Sequence, residues 1–130
     1  MCVFCEIIKG NIPSRKVYED DNYIAILDIA QVTKGHTLVI PKKHTKNYAD
    51  LSQDEFGELM KVTHKVSEKV VKKMNALGDH LLINTNEVSG QTVDHVHCHI
   101  IPRYSSDDAI TLKFNPTSFD LDEILKQINA

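Results

Sequence analysis

The feature of this sequence that most constrains its fold is the segment DHVHCHIIPR, residues 94–103, in which histidines alternate with apolar residues. Successive side chains of a β-strand point to opposite faces, so His95, His97 and His99 would line one face, about 7 Å apart at ~3.3 Å rise per residue. The opposite face would carry Val96, Cys98 and Ile100. The segment therefore predicts a strand over residues 95–101 that buries one face and presents on the other three groups that titrate near neutral pH.

A second strong signal is a long amphipathic helix in the middle of the chain. The sequence Ser52-Gln53-Asp54-Glu55 is a capping box, which marks the first turn of a helix. Apolar residues then recur at helical spacing from Phe56 to Met74, and Gly78 is expected to end the pattern. The apolar stripe predicts that this helix packs on the apolar face of the sheet.

The remaining signals describe short strands and two short terminal helices. Strands are predicted over residues 15–19, 23–29, 36–40 and 80–86, with helices over residues 3–9 and 118–128. Together with the histidine-containing strand, these elements define an α+β fold with a five-stranded, mostly antiparallel sheet and one long helix. The chain has 130 residues, 42% of them hydrophobic, which suits one modest core. Residues 1–130 are therefore expected to form a single domain.

The charge pattern argues against two broad classes of partner. The formal net charge of -3 gives no overall basic field, and we expect no nucleic-acid binding. A lysine run along the long helix is interrupted by Glu58 and Glu68, which favours a solvated helix face. No apolar run approaches membrane-spanning length and the first residues do not resemble a signal peptide, so no membrane partner and a cytoplasmic location are expected.

The cysteines and histidines leave two chemical interpretations open. In a reducing compartment, an odd cysteine count with a Cys2-x-x-Cys5 pair favours metal or redox chemistry over a disulfide framework. Three imidazoles in register favour a functional face over a surface that happens to be rich in histidine. That face would serve either as a metal site or as a nucleophilic site.

Three segments resemble one known family along nearly the whole chain. The sequence His-Val-His-Cys-His-Ile-Ile fits the signature of the histidine triad (HIT) family of nucleotide-binding proteins, with Cys98 in a position that is usually apolar. CxFCEIIKGxIPS, LDIAQVTKGHTLVIPKKH and NxxxxSGQTVxHVHxHIIPR also resemble this family in order and spacing. The similarity is strongest to the Hint-like branch, in particular to bacterial members with C-x-x-C near the amino terminus. It implies a HIT-like fold over residues 1–130.

The resemblance also implies a reaction and the residues that carry it. His97 would attack the α-phosphorus of a purine nucleotide, and water would then hydrolyse the nucleotidyl-histidine intermediate. His36, His99 and Thr92 would assist as donors of hydrogen bonds to the phosphate. Asp28 would bind the ribose, an apolar pocket would hold the base, and the side-chain amides of Asn84 and Gln91 would lie near the phosphate. The full set of implied nucleotide-binding residues is Phe4, Ile7, Asp28, Ile29, Leu38, Asn84, Gln91, Thr92, His97 and His99. Ile26 also belongs to the apolar pocket.

The same resemblance implies two histidines that complete a metal site with the C-x-x-C pair. Cys2 and Cys5 have a common zinc-binding spacing, and His44 and His95 match the positions that complete the set in C-x-x-C members of the family. Four protein ligands leave no open position on the ion, so the expected Zn²⁺ is structural.

The resemblance implies a homodimer and a phosphoramidase-like hydrolase that acts on AMP phosphoramidates, or a nucleotidyl transferase. Three alternatives stay open at this point. These alternatives are hydrolysis of dinucleoside polyphosphates, a role as a non-catalytic nucleotide-binding adaptor, and a catalytic metal held by His95, His97 and His99. The last alternative leaves the C-x-x-C pair unexplained.

Overall fold

The chain forms one five-stranded sheet in which every neighbouring pair of strands is antiparallel. The computed structural model describes residues 1–130, and the strand order across the sheet is β1-β2-β3-β5-β4. The elements are α1 (Val3–Ile8), β1 (Lys16–Glu19), β2 (Tyr23–Leu27), β3 (Thr37–Pro41), α2 (Gln53–Lys73), β4 (Gly78–Leu82), β5 (Cys98–Arg103) and α3 (Leu121–Ile128). The predicted α+β fold with a five-stranded antiparallel sheet and one long helix is confirmed.

Helix α2 begins where the sequence predicts and ends for a different reason. The Ser52 hydroxyl accepts a hydrogen bond from the Glu55 backbone N–H, and the Glu55 carboxylate accepts one from the Ser52 N–H, which completes the capping box. At the other end Asn75 adopts a φ of 56°, the left-handed conformation that closes many helices. Gly78, predicted to stop the helix, is instead the first residue of β4.

Each face of the sheet is covered by one apolar cluster. On one face α2 packs over the sheet and buries Leu59, Val62, Val66 and Val70 against Val96, Cys98 and Ile100. On the other face, Phe4 of α1 packs with Ile24, Ile26, Leu38 and Ile40 of the sheet. The predicted apolar face of the histidine segment is thus confirmed, and Cys98 acts as a small apolar side chain whose pKa burial raises to about 11.

The predicted strand over residues 95–101 begins three residues late, at Cys98. In the register of β3 with β5, Val39 faces Cys98, so a continued ladder would bring Pro41 opposite Val96. Proline has no backbone N–H to donate, and the Val96 N–H bonds to the Thr45 carbonyl instead. His95 and His97 therefore precede the strand, although their side chains keep the predicted alternation with the buried apolar residues.

Other boundaries differ from the prediction by one to four residues. β4 ends at Leu82, which pairs with His99, one residue from the start of β5. β2 ends at Leu27, because the Asp28 carboxylate accepts a hydrogen bond from the Ala30 N–H and turns the chain. α3 begins at Leu121, with Asp120 as its cap. None of the helices has the length and apolar character needed to cross a bilayer.

Candidate functional site

The ring of His97 is held in one tautomer by the backbone. Its Nδ1 lies 2.8 Å from the carbonyl oxygen of His95, and since a carbonyl only accepts, Nδ1 carries the proton. The other nitrogen, Nε2, has no hydrogen-bond partner. Because every fully buried side-chain nitrogen in the structure has a partner, Nε2 must be accessible to solvent. The side chain is only 7% exposed, yet Nε2 reaches the surface of the site with its lone pair free.

A chain of three hydrogen-bonding groups sets the tautomer of His99. The Val32 backbone N–H donates to Nδ1 of His36 at 3.3 Å, so the proton of the neutral His36 ring is on Nε2. That Nε2 lies 2.9 Å from Nδ1 of His99 and donates to it. Neutral His99 therefore carries its own proton on Nε2, which has no partner within the protein. The rings of His97 and His99 are neighbours, with centroids 4.9 Å apart.

Burial keeps both of these imidazoles neutral at physiological pH. Desolvation lowers the pKa of His97 below its ordinary value of 6.5, and the bond to the His95 carbonyl only partly opposes this. Desolvation, followed by repulsion from His97 and His36, lowers the pKa of His99 to about 4. The site thus pairs a neutral nitrogen lone pair on His97 with a neutral N–H donor on His99.

The loop between β2 and β3 is shaped by Gln31, which is not among the predicted site residues. Its amide nitrogen donates to the carbonyls of Asp28, at 2.5 Å, and His36, at 2.7 Å. Its oxygen accepts from the backbone N–H groups of Gly35 and His36. A glutamine between two predicted strands is an ordinary polar residue by sequence, so only the folded loop reveals that it fixes the position of His36.

An apolar cavity of about 230 Å³ lies next to these histidines on the α1 side of the sheet. Its walls include all five residues of the predicted base pocket, together with Asp28, namely Phe4, Ile7, Ile26, Ile29, Leu38 and Asp28. Phe4 also contacts His97 edge to face, with centroids 5.0 Å apart. One Asp28 oxygen accepts from the Ala30 N–H, while the other lies 3.7 Å from His36 and faces no stronger donor. The structure therefore brings these predicted residues together.

The predicted loop residues occupy less uniform positions. The side chain of Gln91 is buried, and its hydrogen bonds go to the backbone of Lys46, Val93 and Asn86. Any effect of Gln91 on a ligand is therefore exerted through the loop that it holds. Thr92 is exposed, Asn84 is half-buried, and neither side chain makes a hydrogen bond within the protein.

The structure also contains a separate groove. It has a volume of about 870 Å³, is open to solvent, and is lined by Gln91 and Thr92 together with Cys2 and His44. We place the nucleoside in the smaller cavity, because that cavity combines apolar walls with Asp28, and its wall residue Phe4 contacts the ring of His97.

The four predicted metal ligands converge at the start of α1. Nδ1 of His95 lies 3.4 Å from the Cys2 sulfur and 3.6 Å from the Cys5 sulfur. Nδ1 of His44 lies 3.3 Å from the Cys5 sulfur and 3.2 Å from Nδ1 of His95. All four ligand atoms lie within 4.8 Å of one another.

These separations fit a tetrahedral zinc ion. Bonds of ~2.3 Å to sulfur and ~2.0–2.1 Å to nitrogen place two nitrogens roughly 3.4 Å apart and a nitrogen and a sulfur roughly 3.6 Å apart. The tautomer of His95 is also suitable, since its Nε2–H donates to the Pro41 carbonyl at 2.7 Å and leaves Nδ1 unprotonated. The four residues can therefore hold a zinc ion with no open coordination position.

A second group of ligand types, Asp28, His36 and His99, also lies within 4.8 Å. Here Nε2 of His36 already donates a hydrogen bond to Nδ1 of His99, so these two nitrogens are paired with each other. The ring of His95 points to the cysteines while His99 pairs with His36, so the three histidines of the motif do not converge on a single point.

A five-stranded antiparallel sheet that presents His97 in a fixed tautomer between an apolar cavity and a donor histidine defines a histidine triad domain. The chain belongs to the HIT domain family, whose model matches residues 9–106.

Relatives and solved structures are similar to this chain over almost its whole length. An uncharacterized HIT-like protein of Methanocaldococcus jannaschii is 45% identical over 130 residues, covering 100% of both chains. The crystal structure of a histidine triad nucleotide-binding protein from Candida albicans has a TM-score of 0.86 and 31% identity, covering 99% of this chain and 93% of that chain. A Zn-bound histidine triad family protein from Mycobacterium smegmatis has a TM-score of 0.80 and 34% identity, covering 98% of this chain and 95% of that chain.

Proposed function

We propose that this protein binds a purine nucleotide and transfers its nucleotidyl group to water through a covalent bond to His97. The observation that carries the proposal is the fixed tautomer of His97, whose free Nε2 lies beside the neutral donor His99 and the cavity that contains Asp28. The name of the Candida albicans relative, a histidine triad nucleotide-binding protein, supports the choice of ligand. The substrates we favour are adenosine phosphoramidates.

Binding would begin with the nucleoside in the apolar cavity. A purine base fits between apolar side chains such as Phe4, Ile7 and Leu38, and the free oxygen of Asp28 would accept hydrogen bonds from the ribose hydroxyls. This orientation would direct the α-phosphate toward the histidines. Asn84 and Thr92, whose polar atoms are free of internal hydrogen bonds, would donate to the phosphate.

In the first step the Nε2 lone pair of His97 attacks the α-phosphorus. A P–N bond forms as the bond to the leaving group breaks, and the leaving amine takes a proton from solvent. The Nδ1–H bond to the His95 carbonyl stabilises the positive charge that develops on the ring. His99 donates its Nε2–H to a non-bridging oxygen, where the transition state gathers negative charge. His36 acts through His99, because its proton holds His99 in the donor tautomer.

In the second step a water oxygen attacks the phosphorus of the nucleotidyl-histidine. The P–N bond breaks, the attacking water releases a proton to solvent, the nucleoside monophosphate leaves, and Nε2 of His97 regains its lone pair. Cys2, Cys5, His44 and His95 would hold a structural Zn²⁺, whose contribution when bound is to tie α1 to the sheet. The Zn-bound Mycobacterium smegmatis relative supports this assignment. Free thiols at this set favour a reducing compartment, which we take to be the cytoplasm.

We also propose that the protein functions as a homodimer, since β4 leaves one edge of the sheet without a partner strand.

The decisive experiment uses a fluorogenic adenosine phosphoramidate and intact-mass analysis of the protein. The wild type should turn over the substrate and show an AMP adduct, and His97→Ala should lose both while still binding AMP. A loss of turnover by about 10³-fold or more is expected for removal of a nucleophile. His64→Ala, an exposed histidine on α2, is the matched control and should keep wild-type turnover.

Two results would contradict parts of this proposal. Saturable AMP binding without any adduct on adenylated substrates would identify a nucleotide-binding adaptor. Turnover of dinucleoside polyphosphates at a much higher kcat/KM than phosphoramidates would replace the proposed substrate class while keeping His97.

A further inference from the structure

The connection between β4 and β5 contains one residue in a strained backbone conformation. Asn86 has a φ of 70° and a ψ of 162°, a combination that residues with a Cβ atom rarely adopt. Strain of this kind disfavours a conformation by a factor on the order of 10 to 100, so it persists only where the surrounding structure imposes it. Asn86 lies between Asn84 and Thr92, which we propose as donors to the phosphate. The contacts that hold Asn86 therefore bear on the phosphate site.

Both polar groups of the Asn86 backbone are occupied. Its N–H donates to Oε1 of Gln91 at 2.8 Å, and its carbonyl accepts hydrogen bonds from the N–H groups of Ser89 and Gln91, each at 3.1 Å. The side-chain oxygen of Asn86 accepts a further hydrogen bond, from Nδ2 of Asn47 at 3.0 Å. The backbone contacts close the loop on itself, whereas the contact with Asn47 ties the strained residue to a different segment of the chain.

Asn47 is buried, and its two amide atoms have distinct partners. The side-chain oxygen accepts a hydrogen bond from the Ala49 N–H at 3.1 Å, which caps the short 3₁₀ turn Tyr48–Asp50. The Nδ2 group is therefore the atom that faces Asn86, and it is a donor. With only 6% of its surface exposed, Asn47 is held by its surroundings in the orientation that makes this contact.

Asn47 is the last of three consecutive residues that hold the connection between β4 and β5. The carbonyl of Thr45 accepts a hydrogen bond from the Val96 N–H at 2.8 Å, and the carbonyl of Lys46 accepts one from Nε2 of Gln91 at 2.6 Å. We call these three consecutive residues the strut. The first two contacts use strut carbonyls, which any residue would supply, whereas the third depends on the asparagine side chain.

The loop that the strut holds also returns to Asn84. Gly90 has a φ of 95°, and the position that a Cβ atom would take there lies 3.7 Å from Nδ2 of Asn84. The Asn84 amide thus lies against the loop backbone two residues before Thr92. Because Asn86 lies between the two proposed donors, a rotation of its backbone would move one donor relative to the other.

Neither Asn47 nor Asn86 lines the nucleoside cavity or the separate groove. Both amide atoms of Asn47 are already used within the protein. An effect of Asn47 on a nucleotide is therefore exerted through the loop and not through contact with the ligand.

We propose that Asn47 is a positioning residue for the phosphate of the nucleotide, because its hydrogen bond holds Asn86 in the strained conformation that sets Asn84 and Thr92 as phosphate donors. This inference rests on the proposed nucleotide function and specifies how its donors are arranged before the ligand arrives. Donors fixed in advance bind a phosphate more tightly, because the cost of ordering them is met during folding. Without the bond, Asn86 relaxes to an ordinary conformation and the two donors move apart.

The test compares the binding of AMP with that of adenosine, which lacks the phosphate, by calorimetry. Asn47→Ser is the variant of choice, since a serine hydroxyl still accepts from the Ala49 N–H but is too short to reach Asn86. AMP binding should weaken about 10-fold, the lower end of the strain that is released. Adenosine binding should stay within about twofold of the wild type, because the strut does not line the nucleoside cavity.

A glycine at position 86 provides the discriminating variant. Glycine adopts a positive φ without strain, so Asn86→Gly combined with Asn47→Ser should recover most of the lost AMP affinity. The matched control uses Asn75, which has a φ of 56° at the end of α2, outside this loop. Asn75→Gly combined with Asn47→Ser relieves a similar backbone conformation elsewhere and should not restore AMP binding.

The free wild-type protein gives a measurement that does not depend on any variant. Backbone amides of residues 84–92 should have NMR order parameters of about 0.85, the value of rigid backbone, before AMP is added. A loop that becomes ordered only when AMP binds would overturn the proposal.

Three binding results would also overturn it. These are equal losses of AMP and adenosine affinity in Asn47→Ser, unchanged AMP affinity in that variant, and equal recovery with the two glycine substitutions. A wild type that binds AMP no more tightly than adenosine would overturn the phosphate site and this inference together. Selective loss of AMP affinity in a protein that forms no AMP adduct would support the positioning role and contradict nucleotidyl transfer, so the two proposals fail separately.

Discussion

At the scale of single residues, the site depends on which nitrogen of each histidine carries the proton. Carbonyls of His95 and Pro41 fix the protons of His97 and His95, and the Val32 N–H fixes that of His36. Each fixing group belongs to the backbone. Side-chain identity alone therefore does not reveal the arrangement, and a proton in the wrong place would cost the reaction its nucleophile or its donor.

The low pKa of His99 predicts a pH dependence of stability. In the unfolded chain this ring takes up a proton near pH 6.5, whereas in the folded protein it stays neutral down to about pH 4. The stability that comes with the neutral ring is therefore fully present above pH 6.5 and is lost as the pH falls toward about 4. Urea unfolding of the wild type should show a steeper loss over this window than unfolding of His99→Gln.

A direct measurement of the ring checks the same prediction. The NMR signals of the His99 imidazole should titrate well below pH 6.5 in the folded protein. Titration at the ordinary value would mean that burial and the neighbouring histidines do not disfavour its charged form.

The residues of the site differ in how far sequence could predict them. The family-like sequence motifs contain four predicted site residues that the structure brings together, namely His36, His97, His99 and Asp28. Gln31 and Val32 also lie in the segment LDIAQVTKGHTLVIPKKH, but they act through an amide side chain and a backbone N–H in a turn, and their residue types do not indicate these contacts. Gln91 is recognisable as a motif residue, but its inward hydrogen bonds depend on a second loop that sequence order does not specify.

At the scale of elements, α2 is specified by local signals and makes a clean stability prediction. Ser52→Ala removes the hydroxyl that accepts from the Glu55 N–H at 3.1 Å. Loss of such a cap costs about 1 kcal/mol of unfolding free energy. Urea unfolding at a fixed protein concentration should show this decrease without a change in the denaturant slope.

A conservative variant controls for other effects at the same position. Ser52→Asp keeps an oxygen acceptor for the N–H and should retain most of the stability. Equal stability of Ser52→Ala and the wild type would mean that the cap observed here contributes nothing to folding.

The strands were less predictable than α2, and the reason is long-range. Alternation correctly assigns the faces of the histidine segment, because a side chain's face is a local property. The start of β5 at Cys98 depends on Pro41, which is 57 positions away and meets this segment only in the assembled sheet. Strand ends are set by the partner strand, so a sequence read locally extends them too far.

At the scale of the whole molecule, the metal set joins the amino terminus to the sheet. Purified wild-type protein is expected to contain about one zinc per chain, and Cys2→Ala/Cys5→Ala should lose it. The variant should also melt at a lower temperature, because α1 then keeps only its apolar contacts with the sheet. Elemental analysis and thermal melting measure the two effects.

His97→Ala separates this assignment from a metal site on the histidine motif. It should retain zinc, since His97 is not among the four converging residues. Loss of zinc from His97→Ala, with retention in the double cysteine variant, would support the catalytic-metal alternative instead.

His95 lies between two neighbours, one of which needs a hydrogen-bond donor while the other needs a free lone pair. The His95 ring donates from Nε2 to Pro41 and offers an unprotonated Nδ1 to the cysteines. Among the natural side chains only a neutral imidazole has a donor and a lone pair on opposite sides of one rigid ring. An amide at this position would change both distances, and a carboxylate has no N–H to donate to the Pro41 carbonyl. While the chain keeps Cys2 and Cys5, position 95 is therefore chemically irreplaceable.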